Sequence, residues 1–543
     1  MSTSFPSRGA ARVRRSLLTA GALLALLGST GVAAGAQAKA YGFLFLLGSD
    51  TLGIERVTPM GETILGTINL RGQGRLEWSA TLAGVGVTRE FHIAAFQGTS
   101  TDAPALQRAV IRMDGDTARV EISGPNGPGP RQVLPSKAGA LMLLSQSAAL
   151  VDLALARAHA TPAPEDTFPV FLVQGGQTLS SRLRIAGDSA WWSVGPSVTP
   201  MSLTKEGTMA EAVVAAQNLR MRRVEGATLA AIKIGGPDYS APAGAPYTAT
   251  AVRVPAGDHE MAGTLTMPTG AMGRVPAVVT ITGSGPQDRD EYIPLVPGYR
   301  PFRQLADTLG RHGFAVLRYD DRGTGESGGT FATATSADFA NDVRAAVKWL
   351  RSRPDIDPRR IFLAGHSEGG LIAPMVAADD PTIAGIVLLA GPGKNGLDII
   401  KFQQRYAIDH DTAFRDPAKR DSVIRLSEKA VAEMAATNPW MRFFFAHDPV
   451  ATARRVKVPV LVAQGGSDQQ VTAEQAGVLG STLQGAGNRD VTVKVFPDLN
   501  HFFLYDPSGN PSNYVKLPSG HIGAEVMGTV VDWLVKHAGG GAR

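Results

Sequence analysis

The sequence predicts two folded regions, a β-rich one followed by an α/β domain with a mostly parallel sheet, flanking helices and an insert. Three observations carry this prediction. Residues 41–235 contain short apolar runs separated by turn residues, which is typical of antiparallel strands. From residue 251 to residue 543, short continuous apolar runs alternate with helical patterns, which is typical of a parallel sheet covered by helices. Between the two, residues 236–250 are loop-like and predict a linker.

The composition favours a folded protein and excludes several chemistries. Of 543 residues, 44% are hydrophobic and 19% charged, which fits large cores and argues against disorder. There is no cysteine, which excludes a thiol nucleophile, Cys-ligated zinc, iron–sulfur clusters and disulfides. The first forty residues hold five basic residues and no acid; the rest of the chain therefore has 53 − 5 = 48 basic residues against 48 acidic ones. A neutral chain is untypical of a nucleic-acid-binding protein, and we expect no nucleic-acid partner.

Residues 1–40 predict a signal peptide for export. Arg12–Arg15 supply positive charge, Ser16–Ala36 are mostly apolar, and Ala36–Ala38 and Ala38–Ala40 both have the small-x-small form that a signal peptidase cleaves. An uncleaved anchor is the alternative, and the paired arginines partly resemble a twin-arginine signal, which leaves the export route open. No other stretch approaches the roughly 20 apolar residues that span a bilayer. We therefore expect an exported protein, periplasmic or extracellular, without stable membrane insertion after signal removal.

The β-rich region carries no motif to which a chemistry can be assigned. Two stretches, Ala138–His159 and Met209–Met221, predict helices instead of strands. Trp191 and Trp192 are either a ligand platform or core aromatics. The strand candidates predict a sandwich or an open barrel; they are Tyr41–Leu47, Glu62–Leu70, Arg75–Leu82, Arg89–Phe96, Arg119–Ile122 and Ser181–Ile185.

The α/β region begins with a hairpin pattern at Val252–Val254 and Gly263–Met267. Helical patterns later in the region include Asp338–Arg351, with Ser336 as a candidate cap, and Gly523–Lys536 at its end. Six apolar runs predict buried parallel strands joined by right-handed crossovers; they are Val278–Ile281, Ala315–Tyr319, Ile361–Ala364, Ile386–Leu389, Val458–Ala463 and Val491–Phe496.

The sharpest chemical signal is a Gly-x-Ser-x-Gly motif at residues 365–369. An apolar strand leads into the motif and a small-residue helix leads out, so Ser367 is expected in a strained strand-to-helix bend. The flanking glycines are needed because a Cβ at either position would clash with neighbouring backbone. The bend lifts the hydroxyl off the sheet, which predicts a nucleophile; an ordinary tight turn is the alternative.

A serine hydroxyl needs a base, and the base needs an orienting carboxylate. The expected chain order after such a bend is Ser, acid, His. Asp468 and His501 each follow a predicted strand, so both are expected at the sheet edge where Ser367 also lies. The sequence therefore predicts Ser367, Asp468 and His501 as the catalytic residues.

Alternatives exist for each partner. Asp468 could cap the following helix, and His501 could be a structural loop histidine. Asp498 is a rival acid, but it lies too close to His501 in sequence to hold the ring from a separate loop. The remaining candidate histidines are expected to be structural or solvated; they are His366, His410, His447 and His521.

Acyl transfer also needs N–H donors aimed at the developing oxyanion. The residue after the nucleophile predicts one donor, the backbone N–H of Glu368. The second is predicted in the glycine-containing loop at residues 282–290, as the Ser284 N–H, with Gly285 as the alternative. The charged residues 288–290 are expected to fix this loop through ion pairs. No metal and no organic cofactor is expected.

Together these motifs resemble the α/β-hydrolase superfamily over roughly residues 250–540. The motifs are Gly-Ser-Gly-Pro-Gln-Asp-Arg-Asp from residue 283, Asp-Arg-Gly-Thr-Gly-Glu-Ser from 321, Gly-His-Ser-Glu-Gly-Gly from 365, Gly-Gly-Ser-Asp from 465 and Asn-His-Phe from 500. Their combination is similar to a bacterial branch of secreted esterases related to serine aminopeptidases and prolyl oligopeptidases. The resemblance implies an α/β-hydrolase catalytic domain at residues 251–543, with Ser367, Asp468 and His501 as its triad.

The same resemblance implies that residues 393–455 form a cap over the site. A helix is predicted near Ser422–Ala436, and the aromatic cluster Trp440–Phe445 either lines a substrate pocket or packs against the main domain. Residues 41–235 lie outside the resemblance.

The sequence thus predicts an exported serine hydrolase that cleaves a small-molecule carboxylic ester through an acyl-enzyme. One alternative is a peptidase or amidase with the same triad. Another is a non-enzymatic envelope binding protein in which residues 41–235 act and the hydrolase domain is a scaffold. The acyl-chain preference and the oligomeric state stay open.

Overall fold

The computed structural model describes residues 39–47, 50–71, 74–96, 105–124, 127–160, 165–195, 197–214, 219–232, 237–293, 296, 298–411 and 415–539. The predicted signal peptide lies outside the described residues, apart from its last two positions. Two sheets organise the described chain, one of fifteen strands and one of eight. Within the described ranges, no helix combines the length and apolar character needed to cross a membrane.

The fifteen-stranded sheet contains all strands of the β-rich region. They are β1 (Tyr41–Leu47), β2 (Asp50–Met60), β3 (Thr63–Leu70), β4 (Gly74–Gly84), β5 (Val87–Phe96), β6 (Ala105–Asp114), β7 (Thr117–Gly124), β8 (Gly127–Pro135), β9 (Leu141–Leu143), β10 (Glu165–Leu172), β11 (Gln177–Ala186), β12 (Ser189–Val194), β13 (Ser197–Leu203), β14 (Met209–Val214) and β15 (Leu219–Glu225). Their order is β8-β7-β6-β5-β4-β3-β2-β1-β15-β14-β13-β12-β11-β10-β9. Thr178 on β11 donates to the Ser136 hydroxyl just after β8, although these strands are far apart in the order. The sheet therefore curls on itself and is not two packed sheets.

A buried helix fills the curl of this sheet. Helix α1 (Ala149–Ala160) buries its apolar side chains on all sides, among aromatic residues such as Phe43 and Phe168. The carboxylate of Glu55 on β2 accepts hydrogen bonds from the amides of Ala148 and Ala149, at 2.8 and 2.9 Å. Because the first amides of a helix have no partner within the helix, this carboxylate fixes α1 to the sheet.

The six predicted strands of this region are confirmed, but the helix predictions need correction. Met209–Met221 is not a helix, because it contains β14 and the start of β15. Within Ala138–His159 the helix begins only at Ala149, and β9 occupies part of the first half. Trp192 is buried and stacks on Phe168 with ring centroids 6.4 Å apart, as a core residue does. A short helix, α2 (Gly226–Ala231), ends the region.

The eight-stranded sheet is mixed at one end and parallel over the rest. Its strands are β16 (Tyr247–Pro255), β17 (Glu260–Pro268), β18 (Val275–Ile281), β19 (Ala315–Tyr319), β20 (Ile356–His366), β21 (Gly385–Leu389), β22 (Val460–Gly465) and β23 (Val491–Phe496), in the order β16-β17-β19-β18-β20-β21-β22-β23. Only the pairs β16–β17 and β17–β19 are antiparallel. The predicted linker at residues 236–250 extends too far, because strand β16 already includes residues 247–250.

The helices cover both faces of this sheet. They are α3 (Pro301–Arg311), α4 (Ser336–Arg351), α5 (Glu368–Ala377), α6 (Gly396–His410), α7 (Pro417–Thr437), α8 (Pro439–Ala446), α9 (Pro449–Ala453), α10 (Glu474–Gly485) and α11 (Ala524–His537). Successive strand residues face opposite cores, with Val279 in one cluster and Val278 in the other. Strand β23 differs from the prediction of a strand buried on both faces, because its middle residues are exposed at the sheet edge. Thr335, not Ser336, caps α4, in a reciprocal pair of hydrogen bonds with Asp338.

Candidate active site

Ser367 lies in the predicted bend between β20 and α5. Its φ of 52° and ψ of −117° are strained for a residue with a side chain. A Cβ at Gly365 would lie 2.1 Å from the carbonyl oxygen of Gly369, and one at Gly369 would lie 2.1 Å from that of Ile281. Only glycine fits at these two positions, so the sequence forces Ser367 to the carboxyl edge of the sheet.

Asp468 and His501 are in direct contact at the same edge. His501 Nδ1 lies 2.7 Å from Asp468 Oδ2, and both side chains are buried. The amides of Gln470 and Val471 donate to Asp468 Oδ1 at 2.7 and 2.9 Å, and Gln464 donates to Oδ2 at 2.8 Å. These donors fix the carboxylate, and the carboxylate in turn fixes the ring with its proton on Nδ1, so that Nε2 is the basic nitrogen.

The alternatives to this pair were a helix cap at Asp468, a rival acid at Asp498 and a structural role for His501. Helix α10 begins at Glu474 with Ala473 before it, so Asp468 is not its cap. The rival acid Asp498 is exposed, and its backbone has a φ of 60°. His501 does not sit alone in a loop, because its ring is held by Asp468.

Ser367 and His501 line one cavity of about 180 Å³, together with Ser284 and Glu368. All five predicted site residues therefore converge, since Asp468 is bonded to His501. The remaining lining residues are Gly283, Gln287, Glu291, Ile293, His366, Pro392, Ile399, Ile400, Gln403, Trp440, Phe444, Gln470, Val471 and Phe502. Half of the eighteen lining residues are therefore apolar or glycine, and the other half are serines, glutamines, glutamates and histidines.

The two residues predicted to donate to the oxyanion line this cavity from different segments. Glu368 is the first residue of α5, where backbone amides have no partner within the helix. Ser284 lies in the loop after β18, next to Gly283, whose amide is already committed to Glu291 Oε1 at 2.8 Å. Gly285, the alternative donor, has a φ of 96°, so the loop turns sharply just after Ser284.

The Glu368 side chain is buried and links three elements. Its Oε1 accepts from the Ser336 hydroxyl at 2.6 Å and from Trp440 Nε1 at 2.8 Å. Burial raises the pKa of this carboxyl, while the hydrogen bonds from Ser336, Trp440 and Ser284 oppose the rise. Ser336 begins α4, and Trp440 belongs to the insert. Glu368, the residue after Ser367, therefore connects both α4 and the insert to the bend.

Ion pairs fix the loop that carries Ser284. Arg289 is buried and donates two hydrogen bonds to Asp320, at 3.0 and 2.7 Å. Asp290 pairs with Arg318 and, at 3.1 Å, with Arg300. The expected network therefore exists, but it is not confined to the loop, because its partners come from β19 and the segments beside it. Asp288 differs from the prediction, because its carboxyl accepts from the Tyr239 hydroxyl at 3.1 Å and from backbone amides; burial and the charge of Asp290 raise its pKa to about 6.

Two buried residues beside the site were not predicted to contribute to it. His366 is 2% exposed and contacts Glu291 and the backbone of His501. Glu291 also holds the Gly283 amide. The available signal was Glu291 itself, an acid that directly follows the loop motif ending at Asp290.

The insert is helical and contributes a wall of the cavity. Helix α7 confirms the helix predicted near Ser422–Ala436. The aromatic cluster divides between the two expected roles: Trp440 and Phe444 line the cavity, stacked with centroids 5.0 Å apart. Phe444 is also part of the main core, with Trp440 and Phe445 packed against it, and Phe443 stacks on His447.

The other candidate groups lie outside the cavity lining. His410 stacks on Tyr406 with centroids 3.9 Å apart, and His521 is exposed. In the part of the chain that the structure describes, no three His, Asp or Glu residues are grouped so as to hold a metal ion.

The sequence of the second region matches a known family. The family model Hydrolase_4, described as serine aminopeptidase, S33, matches residues 298–508. The match covers less than half of the chain; with the sheet order and the Ser-Asp-His chain order described above, it supports an α/β-hydrolase fold for the second region. The resemblance drawn from the motifs is confirmed at that level.

Two curated relatives indicate what the chain is similar to. Esterase EstD of Thermotoga maritima is 30% identical over 279 residues, which is 50% of this chain and 65% of the relative. Dipeptidyl aminopeptidase BIII of Pseudoxanthomonas mexicana is 26% identical over 247 residues, 44% of this chain and 32% of the relative. The chain thus spans less than two thirds of the length of either relative.

Solved structures similar to this chain include an esterase and a protein named Est1E. Esterase Pf2001 of Pyrococcus furiosus is 19% identical, with a TM-score of 0.37, and covers 56% of this chain and 98% of its own. Est1E of Butyrivibrio proteoclasticus is 16% identical, with a TM-score of 0.35, and covers 53% and 98%.

Proposed function

We propose that this chain is a serine hydrolase that cleaves carboxylic esters, with Ser367 as its nucleophile. The observation that carries the proposal is the buried 2.7 Å contact between His501 Nδ1 and Asp468 Oδ2, beside the cavity that Ser367 lines. A carboxylate in that position orients the imidazole and stabilises its protonated form. An imidazole held in this way, lining the same cavity as a strained serine, is suited to act as the base of that serine.

The proposed reaction uses groups of this chain alone. Ser367 Oγ attacks the ester carbonyl while His501 Nε2 takes its proton. The amides of Glu368 and Ser284 donate to the oxyanion of the tetrahedral intermediate. His501 then gives the proton to the leaving alcohol, which leaves an acyl-enzyme. Water, deprotonated by His501, attacks the acyl carbonyl and releases the acid and free Ser367.

The cavity supports an uncharged acyl group of small or medium size. Its volume of about 180 Å³ leaves room for a short chain, and its walls include Ile399, Ile400 and Trp440. Among the described residues that line it, none is Lys or Arg, so no fixed cation invites an anionic substrate. EstD, named an esterase, supports the same choice.

A peptidase or amidase is the second candidate. It is favoured by the family description, serine aminopeptidase, and by the dipeptidyl aminopeptidase among the relatives. The same triad serves both reactions, since only the leaving group differs. A non-enzymatic binding protein is less well supported, because it would have no use for the Asp468–His501 pair.

We further propose that the protein is exported and acts on small molecules in the periplasm or outside the cell. The support is the charge and apolar pattern of residues 1–40. Mass analysis of the mature protein from cell fractions tests it: a chain beginning near residue 39 or 41 outside the cytoplasm supports export. An intact N-terminus inside the cell contradicts it.

The reaction is tested with a panel of p-nitrophenyl esters of increasing acyl length against aminoacyl and prolyl p-nitroanilides. We expect hydrolysis of short and medium esters at rates well above those of the anilides. A fluorophosphonate probe should add one phosphonyl group at Ser367, located by peptide mass analysis, and none in Ser367→Ala. Turnover of anilides alone would favour the peptidase, and equal labelling of both proteins would contradict a serine nucleophile.

A further inference from the structure

A buried carboxylate stands behind the candidate catalytic residues. Glu291 is 1% exposed, and its Oε1 accepts from the Gly283 amide and lies next to His366 Nδ1, both at 2.8 Å. Gly283 immediately precedes Ser284, and His366 immediately precedes Ser367. One oxygen atom therefore connects the oxyanion loop to the bend that presents the nucleophile.

The histidine of this pair extends the connection to the base. His366 Nε2 lies 3.1 Å from the backbone carbonyl oxygen of His501, and the two rings have centroids 5.0 Å apart. A carbonyl and a carboxylate are both acceptors, so His366 needs a proton on each nitrogen to make both hydrogen bonds. Burial alone would lower the pKa of His366, but the charge of Glu291 raises it above its ordinary value. The geometry is that of a buried ion pair.

The backbone at this point is packed and strained. Glu291 has a φ of 54°, an unfavourable conformation for a residue with a side chain that persists only where its surroundings impose it. A Cβ at Gly283 would lie 2.9 Å from Glu291 Oε1 and 3.2 Å from Ser367 Cβ. The loop thus approaches both groups as closely as glycine allows.

We propose that the Glu291–His366 pair is a positioning unit that holds the oxyanion loop, the Ser367 bend and the His501 loop in register. The proposal rests on the serine-hydrolase function proposed above. The contacts of His366 cross 75 residues to Glu291 and 135 residues to His501, so no local structure supplies this alignment. A displacement of about 1 Å at a catalytic group can cost roughly 10²-fold in rate.

The test compares Glu291→Ala, His366→Ala and their double variant in ester hydrolysis. We expect kcat to fall roughly 10²-fold in each single variant, with KM within about threefold of wild type, because orientation in the transition state is lost and the substrate cavity stays. The double variant should be no slower than either single one, because the two residues act as a unit. Glu291→Gln should lie between, since its amide oxygen can still accept from Gly283 but does not balance a charge on His366.

His259→Asn is the matched control. His259 is another buried histidine with carboxylate neighbours, Asp258 at 2.9 Å and Asp342 at 3.4 Å, and it is not among the residues lining the cavity. Its kcat should equal that of wild type. Thermal unfolding checks that each variant is folded; should Glu291→Ala not fold, Glu291→Gln with His366→Asn carries the test.

Three outcomes overturn the proposal: kcat within twofold of wild type in both single variants, a loss confined to KM, or losses that multiply in the double variant. Failure of the underlying function is a different result, because the wild-type protein would then neither hydrolyse esters nor react with fluorophosphonate at Ser367.

Discussion

Each of the two sheet regions has a buried glutamate whose carboxylate lies near the start of a helix. The surroundings of the two carboxylates differ. Glu55 accepts from the amides before and at the start of α1, from Ser147 at 2.6 Å and from Trp78 at 2.9 Å. Glu368 is itself the first residue of α5 and accepts from Ser336 and Trp440. In both cases neutral donors hold the carboxylate, and burial raises its pKa.

The difference lies in what else touches each group. The donors to Glu55 all belong to the first region, and they join a helix to the sheet that surrounds it. Glu368 has one donor on an insert helix, while its own residue lines the cavity beside Ser367. The comparison indicates that a buried carboxylate at a helix start is a structural device, which becomes part of a candidate site only where an open cavity adjoins it.

The strongest contrast between the regions is expected from Ser367→Ala. Loss of the nucleophile should lower kcat for p-nitrophenyl esters by roughly 10⁴-fold or more, because the base then has no hydroxyl to activate. Thermal unfolding should be little changed, since the hydroxyl is not needed for packing. Substantial residual hydrolysis by the purified variant would exclude Ser367 as the nucleophile.

Glu55→Ala should have the opposite profile. It leaves the donors of Trp78, Ser147, Ala148 and Ala149 buried without their acceptor, which should lower the free energy of unfolding by roughly 4 kcal/mol. Urea unfolding measures the loss. The kcat for esters, taken where the variant is folded, should match wild type, and a large drop there would break the division between a structural and a catalytic region.

The pH dependence of the free energy of unfolding also tests the structural role of Glu55. Burial raises the pKa of Glu55 from 4.5 to about 7, so the folded state keeps its proton over a range in which the unfolded state loses it. The contribution of Glu55 to the free energy of unfolding is fully present below about pH 4.5 and is lost as the pH rises through 7. The shift in pKa makes this contribution roughly 3 kcal/mol. Glu55→Gln does not ionise, so its unfolding free energy should fall less between pH 5 and pH 8 than that of wild type. Parallel changes in the two proteins would show that Glu55 does not titrate in this way.

The smallest expected effect concerns the insert. Trp440→Phe keeps a ring in the cavity wall but removes the hydrogen bond to Glu368, so we expect KM for medium-chain esters to rise roughly fivefold with a small change in kcat. Phe443→Leu, on the same helix but outside the cavity lining, is the control and should leave KM unchanged. An equal effect of both substitutions would assign the change to α8 as a whole.

The strands of the second region could be predicted because burial on both faces produces continuous apolar runs, as at Ala315–Tyr319. The helix predicted at Met209–Met221 was wrong because the alanines of this segment favour a helix in isolation. In the protein, pairing of β14 with β13 and of β15 with β1 outweighs that preference. The strand pattern predicted a sandwich or an open barrel but could not decide between them, because the curl of the sheet depends on a contact between β11 and the residue after β8.

The candidate site was predictable where local sequence fixes local shape. Gly365 and Gly369 indicate the bend at Ser367, because no residue with a Cβ fits at either of these two positions. Glu291 and His366 had no comparable signal: the position of Glu291 after the loop motif indicates an acid near the site but not which groups it contacts. Their significance depends on contacts between loops that are distant in sequence, and His366 has the same appearance as the surface histidines of the chain until its neighbours are known.

The backbone of Ser367 also sets a limit on how stable this fold can become. A φ of 52° at a serine costs of order 1–3 kcal/mol, which glycine at the same place would not incur. The most stable residue for this turn is therefore one that carries no hydroxyl. A substitution of Ser367 that stabilises the turn would therefore raise the stability of the fold and remove the proposed nucleophile.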